Sequence, residues 1–117
     1  MRAYHDAWTR GDLDTVRGLL GTGLTVESTL RSLPDGPDSA ALLRFLGQFA
    51  GAITEVNLLS ELYQGDRAAL LYDCVTRDPA GVIRIAEQLV VRDASIVEIR
   101  RVYDAVALRR LLPQLHG

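Results

Sequence analysis

Glu87 is the residue of this chain whose type and position most strongly suggest chemistry. It stands in a row with Ile83, Ile85, Leu89 and Val91, which share one face of a predicted strand by the two-residue period of extended chain. A carboxylate in an apolar row loses its hydration, which is costly unless something compensates it. Glu87 is therefore poorly buried, paired with Arg101 or Tyr72 in a structural polar network, or kept neutral in a pocket. In the last case it is a candidate general acid.

Two aromatic side chains near the start of the chain are the next candidates. Tyr4 and Trp8 are four residues apart with Ala7 beside them, so all three share one face of a predicted helix. The hydroxyl of Tyr4 is able to donate a hydrogen bond to a ligand. The alternative for both rings is ordinary core packing, and we expect Trp8 to be mainly a wall residue.

The other reactive side chains favour structural roles. Cys74 is the single cysteine, so it forms no disulfide within the chain, and no histidine is placed in sequence to activate it as a nucleophile. The two histidines are far apart, which predicts no metal site, and His5 is expected at the surface. Arg101 follows Arg100, and one of two successive strand residues faces outwards. A solvated arginine pair is the default expectation.

The second half of the chain reads as an antiparallel meander. Its four predicted strands are Ile53 to Tyr63, Arg67 to Arg77, Val82 to Arg92 and Ser95 to Tyr103. The turns between them are Gln64-Gly65-Asp66, Asp78-Pro79-Ala80-Gly81 and Arg92-Asp93-Ala94-Ser95. The inferred register places Tyr72 opposite Glu87, and a slip of one residue would put Asp73 there.

The first half is mainly helical. The predicted elements are a helix from Arg2 to Thr9, a helix from Leu13 to Leu20 capped by Asp12, a strand from Leu24 to Leu30, and a helix from Ser39 to Ala50 capped by Asp38. The main breaker cluster is Pro34, Gly36 and Pro37. After the meander, Asp104 caps a closing helix that runs through Leu112 and ends at Pro113.

These elements predict a single α+β domain over residues 1–117, in which a strongly curved antiparallel sheet wraps around a helical layer. Long strands in a small domain must curl, and the helices against them leave a cone with an open mouth. The predicted lining of this pocket is Trp8, Ser28, Phe45, Phe49, Tyr72, Cys74, Leu89, Arg101 and Tyr103.

The net charge and the distribution of apolar residues limit the classes of partner that we expect. The net charge of -2 gives no broad attraction to nucleic acid or anionic membrane, and no apolar run approaches the length of a membrane span. With no leader pattern at the start, the expected location is the cytoplasm. One sheet face carries Leu71 and Val75, or else Leu58 and Leu62, among charges, which predicts a homodimer.

Three segments resemble the nuclear transport factor 2-like superfamily in its SnoaL-like and ketosteroid-isomerase-like branch. They are YHDAWTRGDLDTVRGLL, TVES, and AEQLVVRDASIVEIRRVYD, and together they frame nearly the whole chain. The resemblance implies a conical, cystatin-like α+β barrel. It also implies that Tyr4, eight residues before Asp12, is an oxyanion donor, and that Glu87 replaces a second, protonated donor aspartate. Ser28 stands where ketosteroid isomerases have the general-base aspartate.

The resemblance implies a cofactor-independent cyclase or isomerase that acts by acid/base chemistry on a hydrophobic, polyketide-like or steroid-like carbonyl compound, with Glu87 and Tyr4 as the catalytic residues. Epoxide-hydrolase relatives have an Asp-Arg-Asp set, of which only Arg101 has a counterpart here. The alternative is a non-catalytic module of the same fold that binds a small apolar ligand or dimerises. Ser28 favours that alternative, because a serine at this position leaves the site without the general base of ketosteroid isomerases.

Overall fold

The computed structural model describes residues 2–28, 39–77, 81–104 and 106–110. The helices are α1 (Arg2–Thr9), α2 (Leu13–Leu19) and α3 (Ser39–Ala52); the strands are β1 (Leu20–Ser28), β2 (Ile53–Gln64), β3 (Arg67–Thr76), β4 (Val82–Arg92) and β5 (Ser95–Tyr103). The predicted bounds of α1, β4 and β5 are confirmed, and those of α2, α3, β2 and β3 differ by one or two residues. Residues 106–110 are helical, as expected of the closing helix.

The five strands form one curved, unclosed sheet in the order β1-β5-β4-β3-β2. Strands β2 to β5 are the predicted antiparallel meander, but β1 runs parallel to β5, so the sheet is mixed. Register shifts interrupt the β1–β5, β2–β3 and β4–β5 pairs. Such irregularities bend strands, which lets a five-stranded sheet curve around the helices.

Strand β1 begins at Leu20, four residues before the predicted start at Leu24. Gly21 and Gly23 lie within this strand. A Cβ on Gly21 would meet the Cβ of Ser95 at 3.0 Å and the carbonyl oxygen of Ile96 at 3.2 Å. Glycine therefore allows the backbone of β1 to approach β5 closely here.

Several predicted features lie outside the described residues. They are the end of the first strand at Leu30, the breakers Pro34, Gly36 and Pro37, the cap Asp38, the turn residues Asp78, Pro79 and Ala80, and the helix end at Leu112 and Pro113. The other caps are confirmed. Thr15 N donates to Asp12 Oδ1 at 3.2 Å, and Ala107 N donates to Asp104 Oδ1 at 3.2 Å. In the described ranges, no helix has the length and apolar character needed to cross a membrane.

The helices cover one face of the sheet, and the core lies between them. Alternate residues of β3 are buried there, as the period of a strand requires. The largest buried side chains include Trp8 of α1, Phe49 of α3 and Tyr72 of β3. We call this helix-covered side the inner face of the sheet and the opposite side the outer face.

The hairpin between β4 and β5 carries backbone strain that a substitution should relieve. Asp93 and Ala94 form its two-residue turn, with φ of 51° and 63°. Left-handed backbone is costly for alanine and not for glycine, so Ala94→Gly should raise the free energy of unfolding by about 0.5–1 kcal/mol after the entropy cost of glycine. Urea denaturation measures it. Ala40→Gly, in α3, is the control and should lower the stability; a loss in both variants would contradict the assignment of strain.

Candidate functional site

Glu87 lies on the inner face of β4 and is 2% exposed. It faces Leu70 across the β3–β4 pair, while Tyr72 faces Ile85. The predicted register, which placed Tyr72 opposite Glu87, is therefore wrong by two residues, because the turn between these strands is longer than inferred. A shift of two preserves the face on which each side chain lies. Tyr72, and not Asp73, is consequently the residue that accompanies Glu87 inside.

The carboxylate of Glu87 is held by three side chains from three elements. Tyr72 donates its hydroxyl hydrogen to Oε1 at 2.9 Å, and Tyr4 donates to Oε2 at 3.3 Å. Arg101 Nε lies 3.1 Å from Oε2. Of the sequence alternatives for Glu87, the structure shows the paired one. We call Tyr4, Tyr72, Glu87 and Arg101 the polar cluster.

Arg101 is the cation of this cluster, and the expectation that it is solvated is wrong. It is 2% exposed, and Nη2 donates to the Tyr72 hydroxyl at 3.0 Å. Its guanidinium carbon lies 4.8 Å from the ring centroid of Trp8 and 5.0 Å from that of Tyr103. Stacking against aromatic faces stabilises a buried cation. The sequence did contain a signal, because the strand period puts Arg101 in the row of Tyr103 and leaves Arg100 outside.

Within the described chain, the buried side-chain nitrogens that lack a hydrogen-bond partner all belong to three residues at this site. They are Nδ1 of His5, Nε1 of Trp8, and Nε and Nη1 of Arg101. His5 and Trp8 both lie against the Tyr72 ring, with centroid distances of 4.4 and 6.2 Å. Buried polar groups are nearly always hydrogen-bonded, so a concentration of exceptions marks a place where function is expected.

The protonation of the hydroxyls and of the thiol here is set by burial. Desolvation raises the pKa of Tyr4 well above its usual value, and the negative charge of Glu87 adds to the effect. Burial likewise raises the pKa of Tyr72 well above the ordinary range, against the opposing influence of Arg101. Both hydroxyls are therefore hydrogen-bond donors at neutral pH. Burial raises the pKa of the Cys74 thiol to about 12, so the thiol stays protonated and is no nucleophile.

The prediction that His5 lies at the surface is wrong. Its side chain is 3% exposed and meets the Tyr72 ring edge to face, with 71° between the planes. Little in the sequence indicates this, since His5 follows Tyr4 and two neighbouring residues of a helix rarely both face inwards. Here both do: the Tyr4 hydroxyl donates to Glu87 of β4, and the His5 ring packs on Tyr72 of β3.

His5 should make stability depend on pH. Burial lowers its pKa, although the charges of Glu87 and Asp6 act in the opposite direction. A histidine whose pKa is lower in the folded state opposes protonation, so stability is unaffected above the unfolded value of about 6.5 and falls as the pH drops below it. Urea denaturation between pH 8 and pH 5 measures this decline. His5→Gln should reduce the decline, and an unchanged pH dependence would contradict the assignment.

The predicted lining residues belong to one core in the structure. Trp8, Phe45, Phe49, Tyr72, Cys74, Leu89, Arg101 and Tyr103 are all buried. The aromatic rings form a continuous wall. The ring centroids of Trp8 and Phe49 are 5.5 Å apart, and those of the stacked pair Phe49 and Tyr103 are 6.5 Å apart. Ser28 ends β1 beside Arg101 and is half-buried. No carboxylate occupies this base position, and among the described residues Glu87 is the carboxylate that is buried.

A groove lies on the outer face of the sheet, and its lining includes Ser28, Glu87 and Arg101. Its volume is ≈ 560 Å³, and its apolar lining includes Leu62, Leu71 and Val102. Leu62 is 68% and Val102 is 54% exposed. Among the described residues, no three His, Cys, Asp or Glu side chains lie together as potential metal ligands, on either face.

Comparisons with known proteins were made by sequence and by structure. No protein-family model and no curated protein match the sequence. A crystal structure of a protein from Kribbella flavida DSM 17836 is similar, with 28% identity over 99% of this chain and 93% of the other and a TM-score of 0.79. An NTF2-like protein of unknown function from Mesorhizobium loti is 24% identical, with a TM-score of 0.72. The match covers 89% of this chain and 87% of the other.

A third similar structure is that of a proposed ketosteroid isomerase from Kribbella flavida DSM 17836. It is 19% identical, with a TM-score of 0.71 over 87% of this chain and 73% of the other. These likenesses confirm the predicted resemblance: the chain has the nuclear transport factor 2-like fold, an α+β architecture with a curved sheet around helices.

Proposed function

We propose that this protein binds a small hydrophobic carbonyl compound at the polar cluster and catalyses proton transfer on it, as a SnoaL-like cyclase or isomerase does. One observation carries the proposal. An ion pair between Glu87 and Arg101, both 2% exposed, lies in an apolar core beside polar nitrogens that lack partners. Burying such a pair is costly for stability, so its retention in the core is a reason to expect a function there.

In this proposal Glu87 is a carboxylate and acts as the base. Its carboxylate is ion-paired with Arg101, in contrast to the neutral acid that the family resemblance implies. Glu87 would take a proton from the carbon next to the carbonyl group. Tyr4 would donate a hydrogen bond to the oxygen on which negative charge develops, and the cation of Arg101 would stabilise that charge.

The polar cluster is closed in this structure, so a ligand requires a movement to enter. Tyr4 and Tyr72 are both 0% exposed. Helix α1 is tied to β2 by an exposed ion pair between Arg2 and Glu61, with Nη1 and Oε1 3.4 Å apart. Exposed ion pairs of this kind contribute little, so α1 is the element that we expect to move. The hydrogen bond from Tyr4 to Glu87, at 3.3 Å, is longer than the one from Tyr72, at 2.9 Å. It is therefore the easier of the two to replace by a bond to a ligand.

The alternative function is binding without turnover. Two observations favour it: Ser28 stands at the base position of ketosteroid isomerases, and Glu87 is engaged by Arg101 and Tyr72. The experiment that separates the two screens steroid and aromatic-polyketide ketones by thermal shift and then assays each binder for isomerisation or cyclisation. Binding with turnover supports the enzyme, and binding without turnover supports the alternative. A screen without a binder overturns both.

We further propose that two copies of the chain associate through the outer face. Leu71 and Val75, the first predicted pair, both lie on this face. Of the second pair, Leu62 lies on this face and Leu58 packs on the core. Exposed apolar groups around a groove favour a second copy as the occupant.

The dimer predicts a mass in light scattering of twice 12.8 kDa at micromolar concentration. Val102→Asp places a charge in the groove and should yield a monomer. Val106→Asp is the matched control, because Val106 is 62% exposed and does not line the groove, and it should leave the dimer intact. A monomeric wild-type protein would rule out this interface.

A further inference from the structure

Trp8 and Arg101 present hydrogen-bond donors that the polar cluster does not use. In the described part of the chain, Trp8 Nε1 and Arg101 Nη1 are buried without an acceptor. Both residues are among the most deeply buried large side chains of the protein. Of the other nitrogens of Arg101, Nη2 donates to Tyr72, and Nε lies 3.1 Å from Glu87 Oε2 in the ion pair although it makes no hydrogen bond.

These donors belong to one stacked pair. The guanidinium carbon of Arg101 lies 4.8 Å from the Trp8 ring centroid, so the two groups share one region of the core between α1 and β5. The indole nitrogen and the guanidinium are both donors only, and neither is able to accept a hydrogen bond. A group that complements them is therefore an acceptor. An anionic acceptor gains most, because hydrogen bonds between charged groups are the stronger ones.

We propose that Trp8 is a hydrogen-bond donor to the ligand and that Trp8 Nε1 and Arg101 Nη1 together select a ligand whose polar end is an anionic oxygen, as in a carboxylate or an enolate. The inference rests on the proposed function and deepens it by naming the chemistry of the ligand's head group. Trp8 was expected mainly to line the wall of the pocket. The inference gives it a role in ligand specificity. The apolar body of such a ligand would lie against the aromatic rings of Phe45, Phe49 and Tyr103, which pack on one another in this structure.

The experiment uses three probes with one ring system and different head groups: 2-naphthoate, naphthalene and 2-naphthylmethylammonium. Trp8 is the only tryptophan of the chain, so the protein gives a single indole N–H signal in a ¹H–¹⁵N spectrum. We expect 2-naphthoate to move that signal downfield, as a new hydrogen bond does. We also expect it to bind about tenfold more tightly than the ammonium probe, since a hydrogen bond to a charged group has this effect.

Trp8→Phe keeps an aromatic ring and removes only the donor side of the indole. This substitution should weaken the binding of 2-naphthoate about tenfold and leave the affinity for naphthalene within about twofold of the wild-type value. The spectrum of the wild-type protein decides the question even if this variant does not fold. Binding of 2-naphthoate with an unmoved indole signal, or tighter binding of the ammonium probe, overturns the assignment of Trp8 and leaves the proposed function standing. Failure of all three probes to bind overturns the inference about the head group, while the proposed function is decided by the separate screen of ketones.

Discussion

Glu87→Gln should lower the free energy of unfolding by about 3–5 kcal/mol, since it leaves the Arg101 guanidinium buried without its counter-charge. Glutamine has almost the same shape as glutamate, so packing is preserved and the loss reports charge and hydrogen bonding. The amide also offers one oxygen in place of the two that now accept from Tyr4 and Tyr72. Urea denaturation at pH 7 measures the change.

Two controls make the result specific. Glu55→Gln removes an exposed carboxylate of β2 and should change stability little. The double variant Glu87→Gln/Arg101→Met removes the cation as well, and it should recover much of the loss, because well-packed apolar groups often replace a buried ion pair without cost. A Glu87→Gln variant as stable as the wild type would show that Glu87 is not an ionised partner of Arg101. It would restore the neutral acid that the family resemblance implies.

Tyr4→Phe should separate catalysis from binding. If Tyr4 donates to a developing oxyanion, its removal should lower kcat by about 10²–10³, the usual effect of losing one such donor. The stability should fall by no more than about 1.5 kcal/mol, because the lost bond to Glu87 is long at 3.3 Å and Tyr72 still donates to the carboxylate. Steady-state kinetics on the first compound that the protein turns over, with denaturation in parallel, measure both.

Tyr63→Phe is the matched control for this substitution. Tyr63 is 55% exposed, so it lies outside the buried polar cluster. Its hydroxyl donates to Glu61 at 2.9 Å. It should alter neither kcat nor stability appreciably. An unchanged kcat in Tyr4→Phe would exclude Tyr4 as the oxyanion donor, and the assignment would then pass to Tyr72.

Much of the architecture follows from the sequence alone, because it depends on local pattern. The two-residue period of apolar residues predicts β4 and β5 to the residue, and the Asp12 and Asp104 caps are where their side chains predict them. The inward face of Glu87 follows from the same period. These properties are determined by neighbours in the chain, which the sequence contains directly.

Only the tertiary structure decided what Glu87 contacts. Its partners Tyr4, Tyr72 and Arg101 come from α1, β3 and β5, and the length of the β3–β4 turn set a register that differs by two residues from the prediction. The period of a strand specifies a face but not an opposite residue, so the sequence left pairing with Arg101 or Tyr72 as one alternative among several, and the structure shows both contacts. The parallel addition of β1 next to β5 and the burial of His5 were decided in the same way, by which elements pack together.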